Sequence, residues 1–208
     1  MNCEKPTVVG CGRTDSGVHA KKYVCNFKCE TSIPLEKFPL ALNTFLPDDI
    51  VCSHCEEVSA DFNSRYSAIK KTYSYYIKNS KIPDAFTKRY AWHYRYDLDL
   101  DKMKEAAKAF LGTHDFIGFA ASGFTVKTTV RTIYALEIEQ KGDMISIDIT
   151  GDGFLYNMVR IIAGTLVFVG SGKIDARDMP EIIASKDRTR AGITAPAEGL
   201  FLSEVYYA

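Results

Sequence analysis

The sequence carries no excess of either charge: 26 lysines and arginines stand against 26 aspartates and glutamates. Zero net charge argues neither for nor against a nucleic-acid partner, and leaves that question to local clustering. No secretory leader pattern opens the chain, so a cytoplasmic protein is expected. There is no repeat of fixed period and no low-complexity tract. Neither a P-loop nor a dinucleotide-binding glycine fingerprint occurs, so nucleotide-cofactor chemistry has no sequence support. Only one stretch, residues 154–172, has a single charge, Arg160, and it is nearly the ~20 residues a bilayer span needs. Asn157, three glycines and the arginine itself interrupt it, so a core helix and no membrane association are expected. All six cysteines fall in the first 55 residues. Cys25-x3-Cys29 and Cys52-x2-Cys55 invite a zinc reading. Strand phase opposes it: Cys25, Phe27 and Cys29 would share the core face of a strand over 22–29, and Cys52 and Cys55 would point to opposite faces of a strand over 50–58. Reduced thiols and no metal are expected.

What is present is a chain 46% hydrophobic and 25% charged over 208 residues, enough for one large domain or two small ones. Alternating patterns predict strands at 22–29, 50–58, 72–78, 90–94, 130–140, 143–150 and 200–206. Tyr73, Tyr75 and Ile77 share one face of the third. Helical spacing predicts a helix within 34–47 starting at Pro39, one over 98–111 opened by acids and closed by Gly112, an apolar one over 154–169 and a short one over 178–184. A loop is expected from His114 through Gly123. Strands in hairpin-like succession, mixed with helices, favour an α+β fold with antiparallel sheets over a doubly wound parallel one.

Three features carry possible chemistry. The stretch Gly12-Arg13-Thr14-Asp15-Ser16-Gly17-Val18-His19-Ala20 is a polar loop between two short β patterns. Its glycines permit tight turns and close approach, and it holds an arginine and a carboxylate; the plain reading is a turn with Asp15 capping amides. Residues 65–95 contain eight Lys or Arg against one acid, Asp84, interleaved with six tyrosines, Trp92 and Phe86. Such interleaving suits RNA phosphates and unstacked bases, and equally suits a solvated strand with core tyrosines. Arg160 either snorkels to water or is buried beside a carboxylate.

The loop resembles the signature of the tRNA pseudouridine synthases that modify the anticodon stem-loop at tRNA positions 38, 39 and 40, with Ser16 where that family usually has alanine. Residues 154–160, Phe-Leu-Tyr-Asn-Met-Val-Arg, are similar to a second motif of that family, and Arg65-Tyr66-Ser67-Ala68 followed by Lys71-Thr72-Tyr73 to a third. Arg131-Thr132 and Ala197-Glu198-Gly199-Leu200 fit more weakly. The resemblance implies a pseudouridine synthase fold: mixed, mainly antiparallel sheets flanked by helices, in two ferredoxin-like halves, 1–66 with the catalytic loop and 67–208 with RNA-binding and catalytic residues. Family members normally begin with roughly 45 further residues, about a strand and a helix, bearing Tyr-Asp-Gly and Gly-Trp-Gln sequences absent here. An incomplete first half is therefore expected.

The implied activity is isomerisation of uridine, with breakage of N1–C1′, rotation of the uracil and formation of C5–C1′, using no cofactor and no metal. By the resemblance Asp15 is the nucleophile, Arg160 keeps it ionised and oriented, and Tyr73 packs on the flipped base and assists loss of the C5 proton. Attack at C1′ and attack at C6 both remain open. Arg13 is placed to hold a phosphate or to fill the space the base leaves; His19, Arg65, Lys70 and Lys71 are the other substrate-binding candidates. The implied partner is tRNA and the implied assembly a homodimer. Two alternatives stand beside this. One is a non-catalytic RNA-binding fragment of such an enzyme. The other is a carboxylate glycosidase, which needs a second carboxyl at ~5 Å where the loop offers an arginine.

Overall fold

The computed structural model describes residues 5–123 and 126–208; Cys3 lies outside the described residues. Among these, nine strands and four α helices follow in the order β1 (Val9–Gly10), β2 (His19–Ala20), β3 (Cys25–Asn26), α1 (Phe38–Asn43), β4 (Ala68–Asn79), β5 (Trp92–Tyr94), α2 (Leu100–Ala107), β6 (Gly112–Asp115), β7 (Val130–Lys141), β8 (Met144–Gly151), α3 (Met158–Gly170), α4 (Met179–Ser185) and β9 (Leu200–Tyr207). The fold is α+β. The chain divides into two compact units, Met1–Gly12 with Val24–Ser67, and Arg13–Tyr23 with Ala68–Ala208.

The larger unit is built on a seven-stranded sheet in the order β2-β9-β4-β8-β7-β6, with β5 beside β4. Neighbours are antiparallel except β2 with β9 and β4 with β5. The long strands are those whose sequences alternate. In β8, Ile145, Ile147 and Ile149 are fully buried, while the residues between them are partly exposed. Tyr75 and Ile77 of β4 lie beside them across the ladder, at the Tyr75–Ile147 and Ile77–Ile145 pairs. One face of the sheet thus becomes apolar, and α2, α3 and α4 cover it with Met103, Ala106, Ile161, Leu166, Met179 and Ile182 in a single buried cluster. Each fully buried Ile contributes roughly 1.5–3 kcal/mol. Helix α2 starts where Asp99 accepts a hydrogen bond from the Lys102 amide (3.1 Å), an N-cap worth about 1 kcal/mol.

Helix α3 begins at Met158, four residues later than the apolar run predicts, because Asn157 takes a left-handed conformation (φ 61°). Asparagine tolerates that region better than the surrounding apolar residues would. At 13 residues it spans about 20 Å, against the ~30 Å of a bilayer core. Among the described residues no helix is long and apolar enough to cross a membrane. The expected loop from His114 is corrected: His114 and Asp115 end β6, paired with Arg131 and Val130 of β7.

The segment after α4 runs flat along α3. The Gly192 amide donates to Thr165 Oγ1 (2.8 Å) and the Ala195 amide to the Arg160 carbonyl (3.1 Å). A Cβ on Gly164 would lie 1.9 Å from the Ile193 carbonyl oxygen, a backbone atom. Gly164→Ala is expected to push the segment off the helix and destabilise by about 1–3 kcal/mol, read in thermal melts as roughly 2–4 °C for each kcal/mol.

In the smaller unit, β1 and β3 pair antiparallel through Val9–Asn26 and Gly10–Cys25. Asn26, not Cys25, makes the interior contacts: its Oδ1 accepts from the Ser64 amide (2.9 Å) and its Nδ2 donates to the Phe62 carbonyl (3.2 Å). Helix α1 carries Pro39 in its first turn and buries Phe38, whose ring meets Phe27. Two expectations are corrected. Cys25 and Cys29 are exposed and do not form a core strand face, because β3 is only Cys25–Asn26 and the alternation expected over 22–29 does not extend: the adjacent Asn26 and Phe27 are both half-buried. Residues 50–58 are not a strand; Ile50, Val51 and Val58 are exposed, and β propensity without a neighbouring ladder does not hold a strand. Among the described residues no group of three or more His, Cys, Asp or Glu is arranged to hold a metal ion.

Candidate active site

The polar loop of residues 13–18 is a tight turn. The Val18 amide donates to the Asp15 carbonyl (3.1 Å), and Gly17 sits between them at φ 83°. A type II turn needs that positive φ at its third residue, which is why glycine stands there. The turn fixes the backbone of Asp15, and β2, which follows, is pinned beside Phe201 and Leu202 of β9.

The Asp15 side chain meets Arg160, 145 residues on: Arg160 Nη1 donates to Asp15 Oδ2 at 3.0 Å. The two side chains are 30% and 16% exposed, so water reaches the pair yet does not surround it. The arginine is held from three sides. Its Nη1 also donates to Asn157 Oδ1 (2.8 Å), and its Nε donates to the Ala195 carbonyl (2.7 Å). The arginine therefore does not snorkel to bulk water. It offers a positive charge and a fixed donor to one carboxylate oxygen, leaving the other oxygen for something else.

Tyr73 stands on the same face of β4 as Tyr75, half-buried, with its ring edge-to-face on Phe154 (5.1 Å between centroids). Tyr75 is fully buried and donates its hydroxyl to the Pro196 carbonyl (2.8 Å). Burial, with Glu198 adding to it and Arg160 opposing it, pushes its phenol well above the usual tyrosine value. It is a fixed donor rather than a base.

His19 is held in place from three sides. Its ring stacks on Phe201 (4.6 Å) and meets Tyr90, and Nε2 lies 2.7 Å from the Arg89 carbonyl. A cleft of about 440 Å³ opens beside it, lined by Gly17, His19, Lys88, Arg89 and Glu198. Lys88 and Arg89 line this cleft together with one acid, Glu198, so the cleft carries a small excess of positive charge. Arg13 is exposed at the start of the turn. Lys70 lies over the Tyr206 ring (4.6 Å), Lys71 follows it on β4, and Arg65 lies over Tyr66 in the smaller unit.

Within the larger unit, then, Asp15 and Arg160 are brought together, with His19 next to a basic cleft. Asn157 and Glu198 fall inside stretches matched to the family, and Tyr75 was placed on a strand face, but none of the three was given a site role from sequence. Asn157 carries a signal in hindsight, a polar residue at the head of an apolar run; Tyr75 read as a plain core residue.

A carboxylate held by a fixed guanidinium, in the same unit as a cleft lined by two cations and one acid, is a chemical arrangement open to several classes of reaction. Comparison with known proteins gives that arrangement a family. A family model described as tRNA pseudouridine synthase matches residues 106–208. The tRNA pseudouridine synthase A of Thermoanaerobacter sp. (strain X514) is 50% identical over 204 residues, 98% of this chain and 84% of the relative. That of Acetivibrio thermocellus is 52% identical over the same shares, and that of Bacillus subtilis (strain 168) 50% identical over 96% of this chain and 81% of the relative. The chain belongs to the tRNA pseudouridine synthase family and is an isomerase.

Proposed function

We propose that this chain converts uridine to pseudouridine at positions 38, 39 and 40 of the tRNA anticodon stem-loop. The observation that carries the reading is the 3.0 Å contact between Arg160 Nη1 and Asp15 Oδ2, joining two motifs that lie 145 residues apart. The target uridine leaves its stack and its ring packs against Tyr73. Asp15 attacks an electrophilic carbon of the nucleotide. The N1–C1′ bond breaks, the uracil turns, C5 bonds to C1′, and the carboxylate leaves as the adduct collapses. The proton lost from C5 is balanced by the one gained at N1, so the product is an isomer and nothing is oxidised or reduced. Arg160 gives the carboxylate its counter-charge and its orientation. Tyr73 is the group beside the base for loss of the C5 proton.

His19, Lys88 and Arg89 line the cleft that meets the phosphates flanking the flipped nucleotide; Arg13, Lys70 and Lys71 are further cations of the same unit for the stem-loop, and Arg65 is a separate contact candidate on the smaller unit. Binding of tRNA is then expected to fall steeply with salt. Each phosphate contact contributes roughly 0.7–0.9 to the slope of log K against log salt, so about four contacts give on the order of a hundredfold loss between 50 and 200 mM. Filter binding at several salt concentrations measures it. An affinity that ignores salt, or survives Lys70→Glu with Lys71→Glu, counts against this surface. A cytoplasmic homodimer goes with this reading; light scattering tests the dimer.

The direct experiment is release of tritium from tRNA labelled at uridine C5, followed by mapping of the pseudouridines formed. Release without modification at positions 38 to 40 would overturn the site specificity. Tight binding with no release would return the chain to the reading of an RNA-binding fragment.

A further inference from the structure

Arg160 is positioned by a segment that does not belong to its own helix. Residues 192–199 form a strap. At one end the Gly192 amide donates to Thr165 Oγ1, and Arg188 ties the strap's bend through the Gly192 carbonyl (2.8 Å) and Thr194 Oγ1 (3.2 Å). In the middle the Ala195 amide donates to the Arg160 carbonyl while the Ala195 carbonyl accepts from Arg160 Nε. One residue further on, the Pro196 carbonyl accepts from the Tyr75 hydroxyl. We propose that Tyr75 is a positioning residue for the isomerisation, a clasp that holds the strap so that the Ala195 carbonyl aims Arg160 at Asp15. This rests on the reading of Asp15 and Arg160 given above.

The argument is one of fixed and free parts. A guanidinium is planar, so its plane is set once Nε and one terminal nitrogen have acceptors. Asn157 supplies the acceptor from the helix start, and Ala195 supplies the one that decides the tilt. Ala195 is a strap residue, and its neighbour Pro196 has no amide hydrogen with which to anchor itself. What stands next to it is the Tyr75 hydroxyl, whose ring is locked in the core between β8 and the segment that opens β9. Without that hydroxyl the carbonyl of half-buried Pro196 loses its donor and turns toward water to regain one. The Ala195 carbonyl, one peptide away, turns with it. The guanidinium follows its acceptor, and the carboxylate loses its alignment. A shift of about an ångström at a reacting group is enough to cost on the order of a hundredfold in rate. The plainer account, in which Tyr75 is a core tyrosine that happens to satisfy a carbonyl, predicts a loss of stability alone.

Tyr75→Phe separates the two, since it removes one oxygen and leaves the ring packing in place. Enzyme in saturating excess over C5-tritiated tRNA gives a single-turnover rate constant independent of any misfolded fraction. Circular dichroism checks the fold at the assay temperature, and filter binding gives the tRNA affinity. The expected result is a single-turnover rate lowered about tenfold or more, with the tRNA Kd within twofold of the parent. A rate within twofold of the parent overturns the clasp, as does a rate that falls only in step with affinity. Asp15→Asn is run alongside. If it still releases tritium, the reading of the site fails. If it is inert while Tyr75→Phe turns over at the parental rate, the site stands and the clasp alone is wrong.

Discussion

Asp15→Asn is expected to bind tRNA like the parent and to form no pseudouridine. The two side chains have nearly the same shape, and an asparagine oxygen can still accept the hydrogen bond that Arg160 Nη1 gives to Asp15 Oδ2. The turn that carries the residue is set by Gly17 and by the Val18 amide, neither of which the substitution touches. Only the chemistry changes. A carboxylate adds to an electrophilic carbon and later leaves; a neutral amide does neither at a useful rate. Removing the nucleophile of a covalent catalyst lowers turnover by roughly four orders of magnitude or more, far beyond any effect on stability at a half-exposed turn. Asp15→Ala is expected to behave alike, which separates chemistry from positioning. The assay is tritium release from C5-labelled tRNA against an active parent, with mass spectrometry excluding deamidation back to aspartate. Appreciable release by Asp15→Asn would mean that the nucleophile is elsewhere.

The parts of the fold legible in the sequence were those with their own periodicity and their own partners nearby. Residues 130–150 read as a hairpin because alternation on both sides of Lys141-Gly142-Asp143 fixes strands and register together, and β7 and β8 form that hairpin. The apolar stretch with Arg160 read as a core helix because its length, its glycines and its lone charge fit nothing else. Residues 50–58 misled, because their β-rich composition states a preference that only a neighbouring strand can realise. Cys25 and Cys29 misled for a related reason: β3 is only Cys25–Asn26, so the alternation over 22–29 has no long ladder to hold it. The loop around Asp15 read from its residues as a plain turn, and a chemical role for it came only through the family resemblance. The contacts around Arg160 were not legible at all, since the Ala195 carbonyl and the Tyr75–Pro196 hydrogen bond involve backbone atoms brought together by long-range packing, which leave no mark in spacing.

Arg160→Met is expected to abolish turnover while leaving tRNA binding largely intact. Methionine fills much of the volume of the arginine stem, so α3, packed by Ile161, Ile162 and Leu166, keeps its place. What disappears is the hydrogen bond to Asp15 Oδ2, together with those to Asn157 and the Ala195 carbonyl. Two effects compete in the outcome. As a contribution to stability the ion pair is modest, because water reaches both partners, which are 16% and 30% exposed; pairs open to water give about 0–1 kcal/mol, a shift of a few degrees in Tm at most. As a contribution to rate it is large, because the carboxylate loses both its counter-charge and the donor that fixes the direction of its attack; losing one preorganised charged contact costs on the order of a hundred- to a thousandfold. The rate effect dominates, so the variant should be folded, bind tRNA and be inert within detection. Arg160→Lys keeps the charge with one short ammonium, which cannot reach Asp15 and the Ala195 carbonyl with the geometry of a planar fork, and its single-turnover rate should fall between parent and Arg160→Met. A folded Arg160→Met that releases tritium within tenfold of the parent would separate the pair at 3.0 Å from the chemistry and leave it a structural contact.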